Sequence, residues 1–276
     1  MEKNSSVDWD RFDPVAYQEK NYSPQVRGDD ARIIRACANH FKRHFLEHPQ
    51  TEEYPIGVDM GSGSNLYPAM TMMPLTAEIV LIDPGQANLD WLKSEIRLLR
   101  SGNREALDRW DPYWDRARKA GNPWLNTTLA WTMARTALNT SRADLLSLGV
   151  EQAFDLGTMC FVAESMTSSR DEFAAAVCSF LRSLRPGAPY AIACLAESTG
   201  YAIGEVDYPA VSVTADDLFA TLANCQYIGQ EVIHVQVIPV PEGGPLREGH
   251  HGMLLALGRT CPDTAQYQQC PRHSIE

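Results

Sequence analysis

The chain predicts an α/β fold, with a mostly parallel sheet that ends in an antiparallel hairpin. Three observations lead there. Apolar, β-branched runs such as Glu78-Ile79-Val80-Leu81-Ile82 and Tyr190 to Ala196 read as strands buried on both faces. Stretches with apolar residues at helical spacing alternate with these runs. Near the end, Val232 to Val240 and Met253 to Leu257 are joined by the polar loop Pro241 to His250, most simply as a hairpin.

Taken in order, residues 1–48 form an aromatic-rich lead and then a helix. After the Asp29-Asp30 start signal, Ile34, Cys37, Phe41 and Phe45 fall on one helical face. Ile56 to Val58 ends a buried strand. The loop Asp59-Met60-Gly61-Ser62-Gly63-Ser64-Asn65-Leu66-Tyr67 then turns on two glycines, and a helix begins near Asn65. Beyond the strand that ends in Asp83, Leu89, Leu92, Ile96 and Leu99 line a second helix. From Arg100 to about Arg142 the pattern blurs, with Trp110, Trp114, Trp124 and Trp131 scattered among charges. This stretch reads as an irregular, mostly helical insertion whose tryptophans pack it against the body.

The later half alternates clearly. Phe154 to Val162 is a near-continuous apolar strand. Ser169 and Glu172 make a capping box, and Phe173, Val177, Phe180, Leu181 and Leu184 line the helix that Pro186-Gly187 stops. Thr214 and Asp217 open another helix through Leu218 and Leu222. The expected organisation is a lead with helix over 1–48, a main domain over 49–260, and a mobile tail over 261–276.

Composition narrows the function. The chain has 276 residues, 44% of them apolar, so it can bury a substantial core. Its formal charge of −11 disfavours nucleic acid, whose phosphates need clustered Lys and Arg. A small partner, cationic or neutral, fits better. Seven scattered cysteines with no CxxC pair argue against zinc and for a reducing compartment, and no metal is expected. No signal segment opens the sequence, and no run reaches the roughly 18 apolar residues of a membrane span, so a soluble cytoplasmic protein is expected.

The glycine loop and Asp83 carry the chemistry. A helix start after the loop points free N–H groups at a ligand. A dinucleotide fingerprint needs a third glycine where Leu66 stands, and Asp59 would repel a pyrophosphate while welcoming a cation with an amino group. The loop therefore looks like the first cofactor loop of an S-adenosylmethionine (SAM) methyltransferase. Asp83 follows Asp59 by 24 residues and would lie at the neighbouring strand tip, accepting ribose hydroxyls. It could equally cap the next helix, with Pro84 in its first turn.

Phe12-Asp13-Pro14-Val15-Ala16-Tyr17-Gln18-Glu19-Lys20-Asn21-Tyr22 resembles the opening motif of a small-molecule methyltransferase family. Its members include nicotinamide N-methyltransferase, phenylethanolamine N-methyltransferase and thioether S-methyltransferase. Four further stretches agree in order: the glycine loop ending in Tyr67, Asp83 with Asn88, Phe161-Val162-Ala163-Glu164, and Leu184-Arg185-Pro186-Gly187 through Tyr201-Ala202-Ile203-Gly204-Glu205. The resemblance implies a Rossmann-like class I methyltransferase sheet beneath an N-terminal helical lid, with SAM as cofactor.

It also implies site residues. Tyr17 and Tyr22 would close over the cofactor's carboxylate end, and Gly61, Ser62, Gly63 and Tyr67 would hold its methionine portion. Asp83, with Asn88 nearby, would take the ribose. Asp144 and Leu145 would face the adenine, and Cys160 would lie beside the cofactor. Glu164, Glu197, Ser198 and Tyr201 would line the substrate pocket, with Glu164 and Tyr17 in catalytic roles.

Departures matter as well. Cys194 stands where nicotinamide-specific relatives carry an acid, which argues against nicotinamide, and Asn21 replaces a tyrosine common among relatives. The Phe161 to Thr167 run looks more like bacterial secondary-metabolism members. An amine nitrogen is the favoured acceptor, with Glu164 favouring the cation that forms there. Carbon, sulfur and oxygen acceptors stay open, as do a non-catalytic SAM-binding module and, last, an NAD-dependent oxidoreductase.

Overall fold

The computed structural model describes residues 2–22, 25–49, 54–121, 127–228, 233–240 and 251–262. Its centre is a seven-stranded sheet of β1 (Ile56–Met60), β2 (Glu78–Asp83), β3 (Ala137–Arg142), β4 (Leu156–Cys160), β5 (Pro189–Leu195), β8 (His234–Ile238) and β9 (Met253–Arg259). A separate hairpin is formed by β6 (Gly200–Ile203) and β7 (Val206–Pro209). The sheet order is β3-β2-β1-β4-β5-β9-β8. β3, β2, β1, β4 and β5 run parallel, and β9 enters antiparallel between β5 and β8.

Side chains alternate across the sheet as the pleat requires. Ile79, Leu81, Leu156, Ala191, Ala193 and Leu195 join one buried layer, and Val58, Met60, Ile82, Met159, Ile192 and Cys194 the other. Helices cover both faces. On the first lie α2 (Gly28–Glu47), α3 (Tyr67–Met72), α4 (Gln86–Arg100), α5 (Arg104–Gly121) and α6 (Leu129–Arg135); on the second, α7 (Arg170–Ser183) and α8 (Ala215–Ala223). The predicted apolar faces are the buried ones: Ile34, Cys37 and Phe41 on α2, Leu89, Leu92, Ile96 and Leu99 on α4, and Phe173, Val177, Phe180 and Leu181 on α7. On β4, Gly157 lets Phe180 of α7 and Val58 of β1 close in where no side chain would fit, since a Cβ there would meet Phe180 at 2.7 Å and Val58 at 2.9 Å.

Several local expectations are corrected. Residues 100–142 are mostly helical, as α5 and α6 show, but regular rather than irregular: α5 packs against α2 and α3, and β3 pairs along its whole length with β2. Trp110 and Trp114 are buried, Trp131 is half exposed beneath the Arg135 guanidinium, and Trp124 lies outside the described residues. β4 is shorter than the apolar run that announced it, because the chain breaks away at Phe161, whose φ is 62°. Ser169 caps α7, but the Glu172 side chain does not complete a box; it accepts instead from the Asn4 N–H and the Thr167 hydroxyl. The box at Thr214 and Asp217 is complete. α3 starts at Tyr67 rather than near Asn65, and α4 begins beyond Pro84, with Gly85 as its N-cap. The hairpin loop 241–250 and the tail beyond Pro262 lie outside the described residues. Among the described residues no helix is long and apolar enough to cross a membrane.

Candidate functional site

β1, β2 and β4 end side by side, and their tips line one cavity. Gly61 and Ser62 cross over β2 by donating their N–H groups to the Ile82 carbonyl at 2.7 and 3.0 Å. The turn needs glycine for two reasons. Gly61 has φ +74°, and a Cβ on it would lie 2.4 Å from Val162 Cγ1. Gly63 has φ +55°.

Two carboxyls sit in this floor. Asp59 pairs in register with Thr158, whose hydroxyl donates to Asp59 Oδ1 at 2.7 Å. Its Oδ2 is buried and has no hydrogen-bond partner among the described residues. Burial pushes the Asp59 carboxyl up to about 7, opposed by the Thr158 and Ser62 hydrogen bonds and reinforced by Asp83. Asp83 is better served. Gly63 N–H donates to it at 2.8 Å, Gly85 N–H at 2.9 Å and the Asn88 amide at 3.1 Å. Burial still raises its pKa above the ordinary carboxylate value.

Aromatic rings close the cavity. The N-terminal segment brings Trp9 and Phe12, and α1 (Pro14–Asn21), started by the Asp13 cap, brings Tyr17 with Tyr22 just beyond. Tyr17 and Tyr22 meet edge-on at 6.0 Å, and the contacts continue inward through Tyr67 to Tyr113. The β6–β7 hairpin adds Tyr201, stacked on Tyr208, which in turn stacks on Trp9 at 5.6 Å. The N-terminal segment is tied down on both sides. Asp10 accepts the Gln86 N–H at 2.8 Å and pairs with Arg142 at 2.9 Å, while Glu2 and Asn4 bond to Ser168 and Glu172.

The structure gathers Tyr17, Tyr22, Gly61, Ser62, Gly63, Asp83, Asn88, Leu145, Cys160 and Tyr201 around this one cavity. Other expected residues stand elsewhere. Tyr67 is fully buried behind the rim, beside the buried Asp30. Asp144 is exposed and bonds to the Leu146 N–H and the Ser147 hydroxyl of its own turn. Glu164 is fully buried behind the lining: a 3-10 turn over Ala163–Ser165 folds its carboxylate inward, where Oε1 accepts the Leu195 N–H at 3.0 Å. Glu197 is exposed and pairs with His251, and Ser198 is buried away from the lining. Asp59, read from the loop as the anion that welcomes a cationic cofactor, lines the cavity too, and Trp9, Phe12, Asn65, Phe161, Val162, Ser165 and Met166 line it without having been named as site residues. The aromatic lead and the residues directly after the β4 run carried the available signal.

The residues present fit SAM. An orphaned buried carboxylate oxygen suits an ammonium, a backbone cradle leaves no room for a Cβ, and a strand-tip acid held by three donors suits a ribose. Sheet order and cavity thus place the chain among the SAM-dependent methyltransferases. The family model of the NNMT/PNMT/TEMT family matches residues 5–261, and the chain belongs to that family.

Similar solved structures include the N-methyltransferase NodS from Bradyrhizobium japonicum WM9 in complex with S-adenosyl-L-homocysteine, at 13% identity and TM-score 0.47, over 89% of this chain and 96% of that one. The 1,6-didemethyltoxoflavin-N1-methyltransferase of Burkholderia thailandensis, with bound 1,6-didemethyltoxoflavin and S-adenosylhomocysteine, matches at 13% identity and TM-score 0.46, over 85% and 80%. A SAM-dependent methyltransferase from Clostridium acetobutylicum ATCC 824 matches at 10% identity and TM-score 0.48, over 81% and 92%. No curated protein matches the chain.

Proposed function

We propose that the enzyme methylates the nitrogen of a small amine. One observation carries this reading: beyond the two carboxyls that serve the donor, the cavity lining holds six aromatic residues, and among its described residues none is Lys, Arg or His. When bound, SAM supplies a methyl group on a cationic sulfur. An amine acceptor gains positive charge as the methyl arrives, and aromatic faces favour such a cation.

In this reading Asp59 and the Gly61 to Gly63 turn hold the methionine end of the cofactor, and Asp83, Asn88 and Leu145 hold its nucleoside. Tyr17 and Tyr22 cover that donor and exclude water. Phe161 and Tyr201 flank the acceptor. Alignment within this enclosure supplies up to about 7–11 kcal/mol of the barrier. Glu164 is a positioning residue, fixing the end of β5 behind the lining through the Leu195 N–H.

The test is to incubate the protein with methyl-labelled SAM and a panel of small amines, phenols and thiols. Label should pass to amines, and Tyr201→Ala should raise the amine KM while leaving SAM affinity within about twofold. Labelling of thiols or phenols with no amine product would overturn the acceptor assignment. Absence of SAM binding by calorimetry would overturn the reading of the cavity itself.

A further inference from the structure

A second cavity lies at the opposite end of the sheet from the strand tips that line the first. His44, His48, Asp155, Arg185, Gly187 and Arg259 stand in its wall. Three elements deliver the basic groups. His44 lies in the last turn of α2 and His48 at its C-cap, with their rings stacked at 4.7 Å. Arg259 ends β9, and Arg185 sits in the link between α7 and β5. The sheet brings both arginines to one border: Arg259 pairs in register with Pro189 at the start of β5, and the Thr260 hydroxyl donates to the Arg185 carbonyl at 2.6 Å.

The hydrogen bonds leave this wall positive. Asp155 is the one carboxylate among its described residues, and both its oxygens are engaged. Oδ1 accepts from Arg185 Nη1 at 2.6 Å and Oδ2 from the Ile56 N–H at 2.9 Å. His48 Nδ1 faces the His44 carbonyl at 3.1 Å and so donates there, while its Nε2 meets Arg259 Nη1 at 3.4 Å. The end of a helix disfavours an anion through its exposed carbonyls. Here the His44 carbonyl is covered twice, by the ring of His48 and by its backbone N–H at 2.8 Å. In a chain of net charge −11, two arginines and two imidazoles thus surround a single carboxylate. The first cavity is the reverse, with two carboxyls and no basic side chain among its described lining.

We propose that this basic cavity binds a phosphate group. Guanidinium forks match the oxygens of a phosphate, and Asp155 takes only one nitrogen of Arg185. Arg259 and the remaining arm of Arg185 would hold the oxygens, with the histidine pair alongside. Burial keeps the His44 imidazole down to about 4, and His48, His40 and Arg259 push the same way. His40 and His48 face it from α2, Arg259 from β9, Arg185 from the link after α7, and Asp155 from just before β4. A phosphate brings negative charge to this group and raises its proton affinity. It also ties α2 to β9 and to the link before β5, so binding stabilises the fold.

The experiment titrates the full-length protein with inorganic phosphate by calorimetry at pH 7, against sodium chloride of matched ionic strength. Glycerol phosphate and acetate are run in parallel. Phosphate should bind and raise the melting temperature above that in chloride, and the His44 ring signals in NMR should titrate at higher pH when phosphate is present. Tighter binding of the free ion or of the ester supports the site either way and tells which source it takes. Arg259→Gln should weaken phosphate by about tenfold or more. Arg185→Lys keeps a cation beside Asp155 but loses the fork, and should weaken it as well. Both should leave SAM affinity unchanged, since SAM is expected at the other end of the sheet. Acetate binding as tight as phosphate would overturn the assignment. So would no binding beyond chloride, or phosphate binding that survives both substitutions.

Discussion

Replacing Asp59 by Asn should make the protein more stable and a poorer binder of its cofactor. The sign follows from the raised carboxyl. Below pH 3.8 Asp59 is protonated in both folded and unfolded chains. As pH rises from about 4 to 7 the unfolded chain ionises while the folded one keeps its proton, and stability is lost; above 7 the loss levels off. A rise from 3.8 to about 7, at about 1.4 kcal/mol per unit, is a penalty of about 4 kcal/mol at pH 8. Asn keeps the Thr158 hydrogen bond but leaves an amide donor unmatched, which costs about 1–3 kcal/mol. The expected net gain for D59N at pH 8 is therefore about 1–3 kcal/mol, or about 2–4 °C of melting temperature per kcal/mol. SAM should bind about 10- to 150-fold more weakly, because a charged hydrogen bond worth about 1.5–3 kcal/mol is gone. Calorimetric titration with SAM and thermal melts between pH 5 and 8 measure both effects. Wild-type affinity should fall as pH drops below 7, and D59N affinity should be flat. A D59N protein that melts lower than wild type at pH 8, or binds SAM equally well there, would refute the assignment of the Asp59 oxygen to the cofactor.

Other substitutions probe the rest of the cavity. Gly61→Ala puts a methyl into the space that Val162 occupies and forces an L-residue to positive φ, a strain of about 1–2 kcal/mol before Val162 moves; titration should show at least tenfold weaker SAM binding. Asp10→Ala releases the N-terminal segment from Gln86 and Arg142, so stopped-flow measurement should find faster S-adenosylhomocysteine release with little change in melting temperature. Glu164→Ala leaves the buried Leu195 N–H without its acceptor and should cost about 1–3 kcal/mol in denaturant unfolding, whereas Glu164→Gln can keep the bond and most of the stability.

Much of the fold was legible because burial imposed periodicity. α2, α4 and α7 announce themselves by apolar residues at helical spacing, and β2 and β5 by runs buried on both faces. Where burial is partial the signal fails. In β3, Ala-Leu-Asn-Thr-Ser-Arg, Leu138 is the one buried residue, so nothing in the residues distinguishes an edge strand from a polar loop. The β6 and β7 strands have four residues each and cover a cavity rather than a core. In the site, the glycine turn and Asp83 were readable from spacing because backbone geometry fixes them. Glu164 was read as facing the substrate since it follows a strand, yet a single 3-10 turn reverses its direction. Trp9 and Val162 lie in stretches whose pattern was visible, the aromatic lead and the end of the β4 run, but tertiary contacts decide which of those residues reach the cavity.

The polarity that hid β3 has a use of its own. β3 is an outermost strand, so its free side offers unpaired amide groups to any passing segment. Asn139, bonded to Glu78, and Arg142, paired with Asp10, keep that border hydrated and charged. An apolar β3 would have been easier to recognise, and it would also have invited copies of the chain to zip together into aggregates.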